Sequence, residues 1–274
     1  MGGLVRSRGH APLRVIDLLT VESDLLDVSA RFAELVRSAP DGGAQVKGLE
    51  WTVAELAAHV ATVLDWQSYS VALFDPAVPG AHPAYNQRLL QQFPEREPHA
   101  LAGIIEDRAA EATDRLGGDP ERRIYTFNVA RSVSSYGALL LGELLVHGWD
   151  LANTLRRPWP ITAEQARTVV YGAAEVLPFL VDRAVAKPLR CVVEIRLRGG
   201  APVFIRVQDG SVSVSVGKPT PPYVDLHVSG EPVTYLLVGA GRRSEWRAAL
   251  TGKMVSWGPR PWLALPLRRL FVKL

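Results

Sequence analysis

The chain has one cysteine in 274 residues, Cys191. A single thiol excludes an intrachain disulfide and a cysteine-rich metal site. Cys191 precedes a strand-like run and reads as a small core residue rather than a nucleophile, so any thiol chemistry needs a thiol from outside the protein. An excess of one charge is also lacking. Lys and Arg number 31 against 28 Asp and Glu, a formal net charge of +3. No dense basic run is interleaved with aromatics, which argues against a nucleic-acid partner. Long apolar runs are missing too. The longest, Val169 to Val181, contains Glu175 and Pro178 and is too short to span a bilayer. Arg14 and Asp17 interrupt the early apolar residues, so no secretory signal is expected and the cytoplasm is the default location.

What is present suits a globular protein, with 47% hydrophobic and 22% charged residues. The length allows one large or two ordinary domains. Val21 to Val36 carries apolar residues at the helical period and is followed by the breaker Ala39-Pro40-Asp41-Gly42-Gly43. Thr52 and Glu55 form a capping box, predicting a helix from Val53 to about Leu73. Asp75 to Pro83 is a proline-containing loop, with a weakly patterned helix near Ala84 and another from His99 to Leu116. Ser134 or Ser135 can cap the next helix, which should run to about Leu155. Four main helices suggest a bundle. The joint Arg157-Pro158-Trp159-Pro160 follows, and then a second capping box, Thr162 and Gln165, which predicts a long helix from Ala163 to about Ala186.

Beyond that helix the period changes. Val192 to Leu197, Val203 to Val207, Val212 to Val216 and Tyr223 to Val228 read as strands, with Asp209-Gly210 as a hairpin turn. Glu231 to Val238 and Ser244 to Leu250 read as short helices, and Met254 to Trp257 as a last strand. The expected fold is α+β: a helical bundle over 15–160, then a smaller α+β domain with a single sheet over 161–274.

The chemistry concentrates in Gly142-Glu143-Leu144-Leu145-Val146-His147-Gly148-Trp149-Asp150. Glu143 and His147 are four residues apart, so on a helix they share one face and can grip one divalent metal. The surrounding residues are apolar, and a buried acid is costly unless paired or metal-bound. A carboxylate and imidazole hydrogen-bonded only to each other is the plainer reading of such a pair. His59 lies on the apolar stripe Leu56, His59, Val60, Val63 of another helix, where a satisfied core histidine is the plainer reading. Together, two histidines and a glutamate from two helices make the three-ligand set of an open zinc site.

Trp51-Thr52-Val53-Ala54-Glu55-Leu56-Ala57-Ala58-His59 and Gly142-Glu143-Leu144-Leu145-Val146-His147-Gly148-Trp149-Asp150-Leu151-Ala152 resemble the two signatures of the mycothiol-dependent maleylpyruvate isomerase family. The resemblance runs roughly from Leu19 to Phe271. It implies a DinB-like metal-binding four-helix bundle followed by a sterol-carrier-protein-like α+β domain. It also implies that His59, Glu143 and His147 are the ligands of Zn²⁺ or another divalent metal, and that mycothiol is the thiol cosubstrate. The expected activity is isomerisation of a small electrophile or S-transfer to it. The alternative is a non-catalytic protein holding a small ligand or partner, with a structural metal. In one respect the chain departs from the pattern: members that handle a dicarboxylate would be expected to carry basic residues just before the ligand Glu, where this chain has Leu140, Leu141 and Gly142.

Three further residues are candidates. Asp150 can hold the second ring nitrogen of His147, and Arg242 joins it as a candidate catalytic residue. Arg243 is a candidate for binding the thiol, against the plainer reading of both arginines as solvated. His82, His99 and His227 have no partner visible in the sequence and are read as non-ligands.

Overall fold

A computed structural model describes residues 15–66, 78, 80–126, 129–217 and 220–272. The first half is helical. α1 (Leu18–Arg37), α2 (Val53–Leu64), α4 (Pro98–Leu116) and α5 (Val133–Leu155) form the bundle, with α3 (Ala81–Gln92) packed on α2. Each bundle helix contributes a buried apolar stripe, such as Val21, Leu25, Val28 and Phe32 of α1. α2 begins as the capping box requires, with Thr52 accepting from the Glu55 amide and Glu55 reaching back to the Thr52 amide. Its described part ends at Leu64, and the expected continuation toward Leu73 falls outside the described residues from 67 onward.

A short antiparallel hairpin, β1 (Arg123–Thr126) and β2 (Val129–Ser132), precedes α5 and was not expected. Four-residue strands are too short to show alternation. The hairpin delivers the chain directly into α5, so the cap is Ser132, not Ser134 or Ser135; its Oγ accepts from the Ser135 amide at 3.1 Å. α5 ends at Arg156, a non-glycine residue in the left-handed region at φ 56°. Arg31 then pins the joint, donating to the Pro160 carbonyl at 2.7 Å and lying 4.6 Å over the Trp159 ring.

α6 (Ala163–Ala173) has the predicted capping box but half the predicted length. Pro178 cannot donate a helical amide and restricts the residue before it. The chain passes through a 3-10 turn at Leu177–Phe179 into α7 (Arg183–Ala186), a single turn capped by Asp182.

The second half contains β3 (Cys191–Leu197), β4 (Pro202–Gln208), β5 (Ser211–Val216), α8 (Pro232–Gly239), α9 (Glu245–Leu250) and α10 (Ala264–Leu267). β6 (Leu226–Gly230) and β7 (Met254–Trp257) complete one five-stranded sheet in the order β5-β4-β3-β6-β7. Neighbours are antiparallel except β3 and β6, which run parallel from Val193 opposite Leu226. The Asp209-Gly210 turn takes positive φ at both residues, as a primed hairpin turn demands. Cys191, Val193, Ile195 and Leu197 face the core with Val203, Ile205 and Val207, and this apolar layer is continuous with the core of the bundle. The mixed α+β architecture therefore matches the expectation. Among the described residues, no helix is long and apolar enough to cross a membrane.

Candidate metal centre

The apolar faces of α2 and α5 bring His59, Glu143 and His147 together, with their ligand atoms all within 4.8 Å of one another. Glu143 Oε2 lies 3.6 Å from His59 Nε2 and 3.3 Å from His147 Nε2. Donors placed about 2.0–2.1 Å from one tetrahedral zinc stand roughly 3.3–3.4 Å apart, so this spacing fits a divalent ion. The donor set fits as well: two imidazoles and one carboxylate on two rigid helices, with room in the coordination shell for another ligand.

The histidines are held differently. His59 is 2% exposed, and its Nδ1 has no hydrogen-bond partner among the described residues. Its ring is positioned by packing, with Trp51 4.6 Å away and His147 edge-on at 5.0 Å. His147 is fixed by a hydrogen bond, Nδ1 to Asp150 Oδ2 at 3.1 Å. Asp150 is gripped in turn by Arg242, whose Nε donates to Oδ1 at 3.0 Å and whose Nη2 donates to Oδ2 at 2.8 Å. A relay Arg242–Asp150–His147 thus runs from the second half of the chain into the centre.

Electrostatics follow from these contacts. Burial is the largest influence on His59 and carries it below the usual imidazole range despite Glu143. For His147, burial pushes down, but Asp150 and Glu143 together outweigh it and the net shift is upward. Burial would raise Glu143, yet the two imidazoles hold it well below the carboxylate range. Asp150 is likewise kept ionised against burial by His147 and Arg242. The pocket therefore sets an ionised carboxylate between two imidazoles, one held by packing and the other oriented through Nδ1 by Asp150.

Asp150 and Arg242 thus position His147 rather than facing the ligand atoms themselves. Arg243 stands apart from the triad, stacked 5.0 Å over Trp149 and donating to Thr234 Oγ1 at 3.2 Å. Two histidines expected to lack partners have them. His82 Nδ1 is 3.4 Å from Asn86 Nδ2, and burial lowers its pKa while the charge of Glu143 opposes. His227 pairs with Glu194 at 2.5 Å and stacks on Trp257. Neither joins the triad. The supporting Trp51 sits inside the first signature, so a sequence signal existed for it. Lys47, Arg247 and Lys253, which line the cleft beside Asp150, had none, because they come together only through the fold.

Residues 25–152 match the model of the mycothiol maleylpyruvate isomerase N-terminal domain. No curated protein matches the chain. Among solved structures, a mutant of the mycothiol-dependent maleylpyruvate isomerase aligns over 92% of this chain and 99% of its own, at 12% identity and a TM-score of 0.50. The unmutated isomerase aligns over the same shares at 13% identity and a TM-score of 0.48. An inverting sec-alkylsulfatase from Pseudomonas sp. aligns with 52% of this chain at 14% identity and a TM-score of 0.34, and the chain spans only 26% of that enzyme. The likeness to the mutant isomerase, at 12% identity, is one of fold alone.

Proposed function

Since residues 25–152 match the mycothiol maleylpyruvate isomerase N-terminal domain, we propose that the protein is a metal-dependent cytoplasmic enzyme using mycothiol. It activates this low-molecular-weight thiol either to isomerise a small electrophile or to attack it and stay attached through sulfur, as an S-transferase does. The observation that carries the reading is the convergence of His59, Glu143 and His147 at ligand spacing. These three residues would hold Zn²⁺ or another divalent ion. When bound, such an ion favours thiolate over thiol and leaves a coordination position for it.

The chain's own residues prepare that site. Asp150 accepts from His147 Nδ1–H and so directs the lone pair on Nε2 inward, with Arg242 fixing the carboxylate. The Trp51 ring lies 4.6 Å from the His59 ring and 6.1 Å from the His147 ring and gives both imidazoles an apolar wall. The thiol must be external: Cys191 is buried in the sheet, and burial pushes its pKa up, away from the reactive thiolate.

The test is single-turnover conjugation by metal-loaded protein, with and without mycothiol, across a panel of electrophiles. Thiol-dependent turnover that survives Cys191→Ala and disappears in His147→Ala is expected. Full activity without added thiol, or in the His147 variant, rules the proposal out.

A further inference from the structure

The molecule carries only a small net positive charge, yet one cleft is lined by four cations that take part in no ion pair among the described residues. Lys47, from the loop before α2, faces Arg243, Arg247 and Lys253 of the second half across a cleft of about 820 Å³. α5 contributes Trp149 and Asp150 to the same cleft. Arg242 also lines it but is neutralised by Asp150. None of the ion pairs among the described residues involves Lys47, Arg243, Arg247 or Lys253. The carboxylate whose charge feels Lys253, Glu231, has its oxygens engaged by Thr234 and the Val233 amide at the start of α8.

Four like charges from both halves of the chain thus line a single cleft. A concave site lined by one sign of charge concentrates the opposite sign. Arg243 is also preorganised, held on the Trp149 face and tied to Thr234. The volume falls in the range that takes drug-sized ligands, roughly 300–1,000 Å³, and exceeds what a small dicarboxylate fills. Location adds the last constraint. Asp150 lines the cleft and holds His147, so a ligand seated there ends beside the metal centre. The positions before Glu143 cannot supply anion recognition from the inside, since Leu140 and Leu141 are fully buried core residues.

We propose that this cleft binds a polyanionic ligand larger than a small dicarboxylate. The ligand carries two or more phosphate or carboxylate groups, held by Lys47, Arg243, Arg247 and Lys253. The inference rests on the thiol-enzyme reading only in taking this ligand to be the electrophile.

Calorimetric titration of the metal-loaded protein tests it, with hexane-1,6-diol bisphosphate, benzene-1,3,5-tricarboxylate and uncharged hexane-1,6-diol as probes at low and high salt, their anionic groups being spaced too far apart to chelate one metal ion. The bisphosphate or the tricarboxylate should bind, more weakly in high salt, while the diol should not. Binding of one anion alone would identify phosphate or carboxylate as the recognised group, and binding of both would assign recognition to charge. The exposed pair Arg247→Ala with Lys253→Ala should weaken the bound anion by at least roughly tenfold. The same variant should load metal normally. No polyanion binding at low salt, or binding unchanged in the double variant, overturns the proposal. Those results leave the metal and thiol reading standing, whereas normal metal loading by His147→Ala would remove that reading and leave the cleft.

Discussion

His147 is constrained at both ring nitrogens, by Asp150 on Nδ1 and by the approach of Glu143 to Nε2. His59 has no such support and relies on packing against Trp51. Removing the negative charge of Asp150 should therefore loosen the site without dismantling it. Asp150→Asn keeps the shape of the side chain but lowers the basicity of His147. Its dissociation constant for metal, read by competition with a chelator, is expected to rise roughly 10–100-fold. An Asn variant that holds metal as tightly as the parent would show that the relay from Arg242 has no bearing on the centre. At this scale the sequence was informative wherever spacing along a single helix sufficed. Glu143, His147 and Asp150 share one helix, and their relation follows from helical geometry. That His59 meets them across the bundle came from an apolar stripe together with a family resemblance. The contact of Arg242 with Asp150 spans 92 positions, and no local pattern encodes it.

The element that carries the site is also closely packed. A Cβ built on Gly148 of α5 would fall 2.0 Å from Trp159 Cζ2, and one on Gly142 would fall 2.9 Å from Val169 Cγ1. Trp159 also donates from Nε1 to the Leu145 carbonyl at 2.9 Å, so the indole is seated against the helix and cannot simply swing away. Alanine is favoured over glycine within helices by about 1 kcal/mol, which sets propensity against overpacking at Gly148. Overpacking wins here because the neighbour is a rigid ring, and Gly148→Ala is expected to destabilise by roughly 1–3 kcal/mol, measured as a drop in denaturant midpoint. A stabilised variant would mean the indole has other room.

β3 and β6 carry a second buried pair. Burial would raise Glu194, but Arg196 and His227 hold its pKa below the ordinary value. A depressed carboxylate contributes stability that is full above its unfolded pKa and lost as pH falls through its folded pKa. Glu194→Gln should therefore melt below the parent at pH 7, and the gap should close as both are taken into the acid range below the ordinary Glu value. A gap independent of pH would assign the effect to packing. Among the elements, strands with alternating patterns and helices with capping boxes were legible. The β1–β2 hairpin was too short to read, and α6 was overestimated because its cap announces where it starts while Pro178, further on, decides where the chain turns.

Over the whole molecule, the strands of the five-stranded sheet all follow the proline joint. We propose residues 157–162 as the boundary between the two halves. α6 stitches across it. Gly172 lets the helix approach Ala138 of α5, Val169 packs over Gly142, and the Tyr171 hydroxyl donates to the Ala201 carbonyl before β4. The buried apolar residues form one cluster through both halves, and Arg242 reaches from the second half to Asp150 in the first. Metal bound between α2 and α5 should therefore stabilise the chain as a unit. A ligand that binds only the folded state adds RT ln(1 + [L]/Kd), about 4 kcal/mol at a thousandfold excess over Kd. For a chain of this size each 1 kcal/mol moves the melting temperature by roughly 2–4 °C. Stripping the metal with a chelator is expected to lower a single calorimetric transition by several degrees or more, and readdition should restore it. His147→Ala should melt near the stripped protein and respond to neither treatment. Two separate transitions, of which the metal moves only one, would show that α6 does not couple the halves, and a parent protein indifferent to chelator would show that no metal is held there.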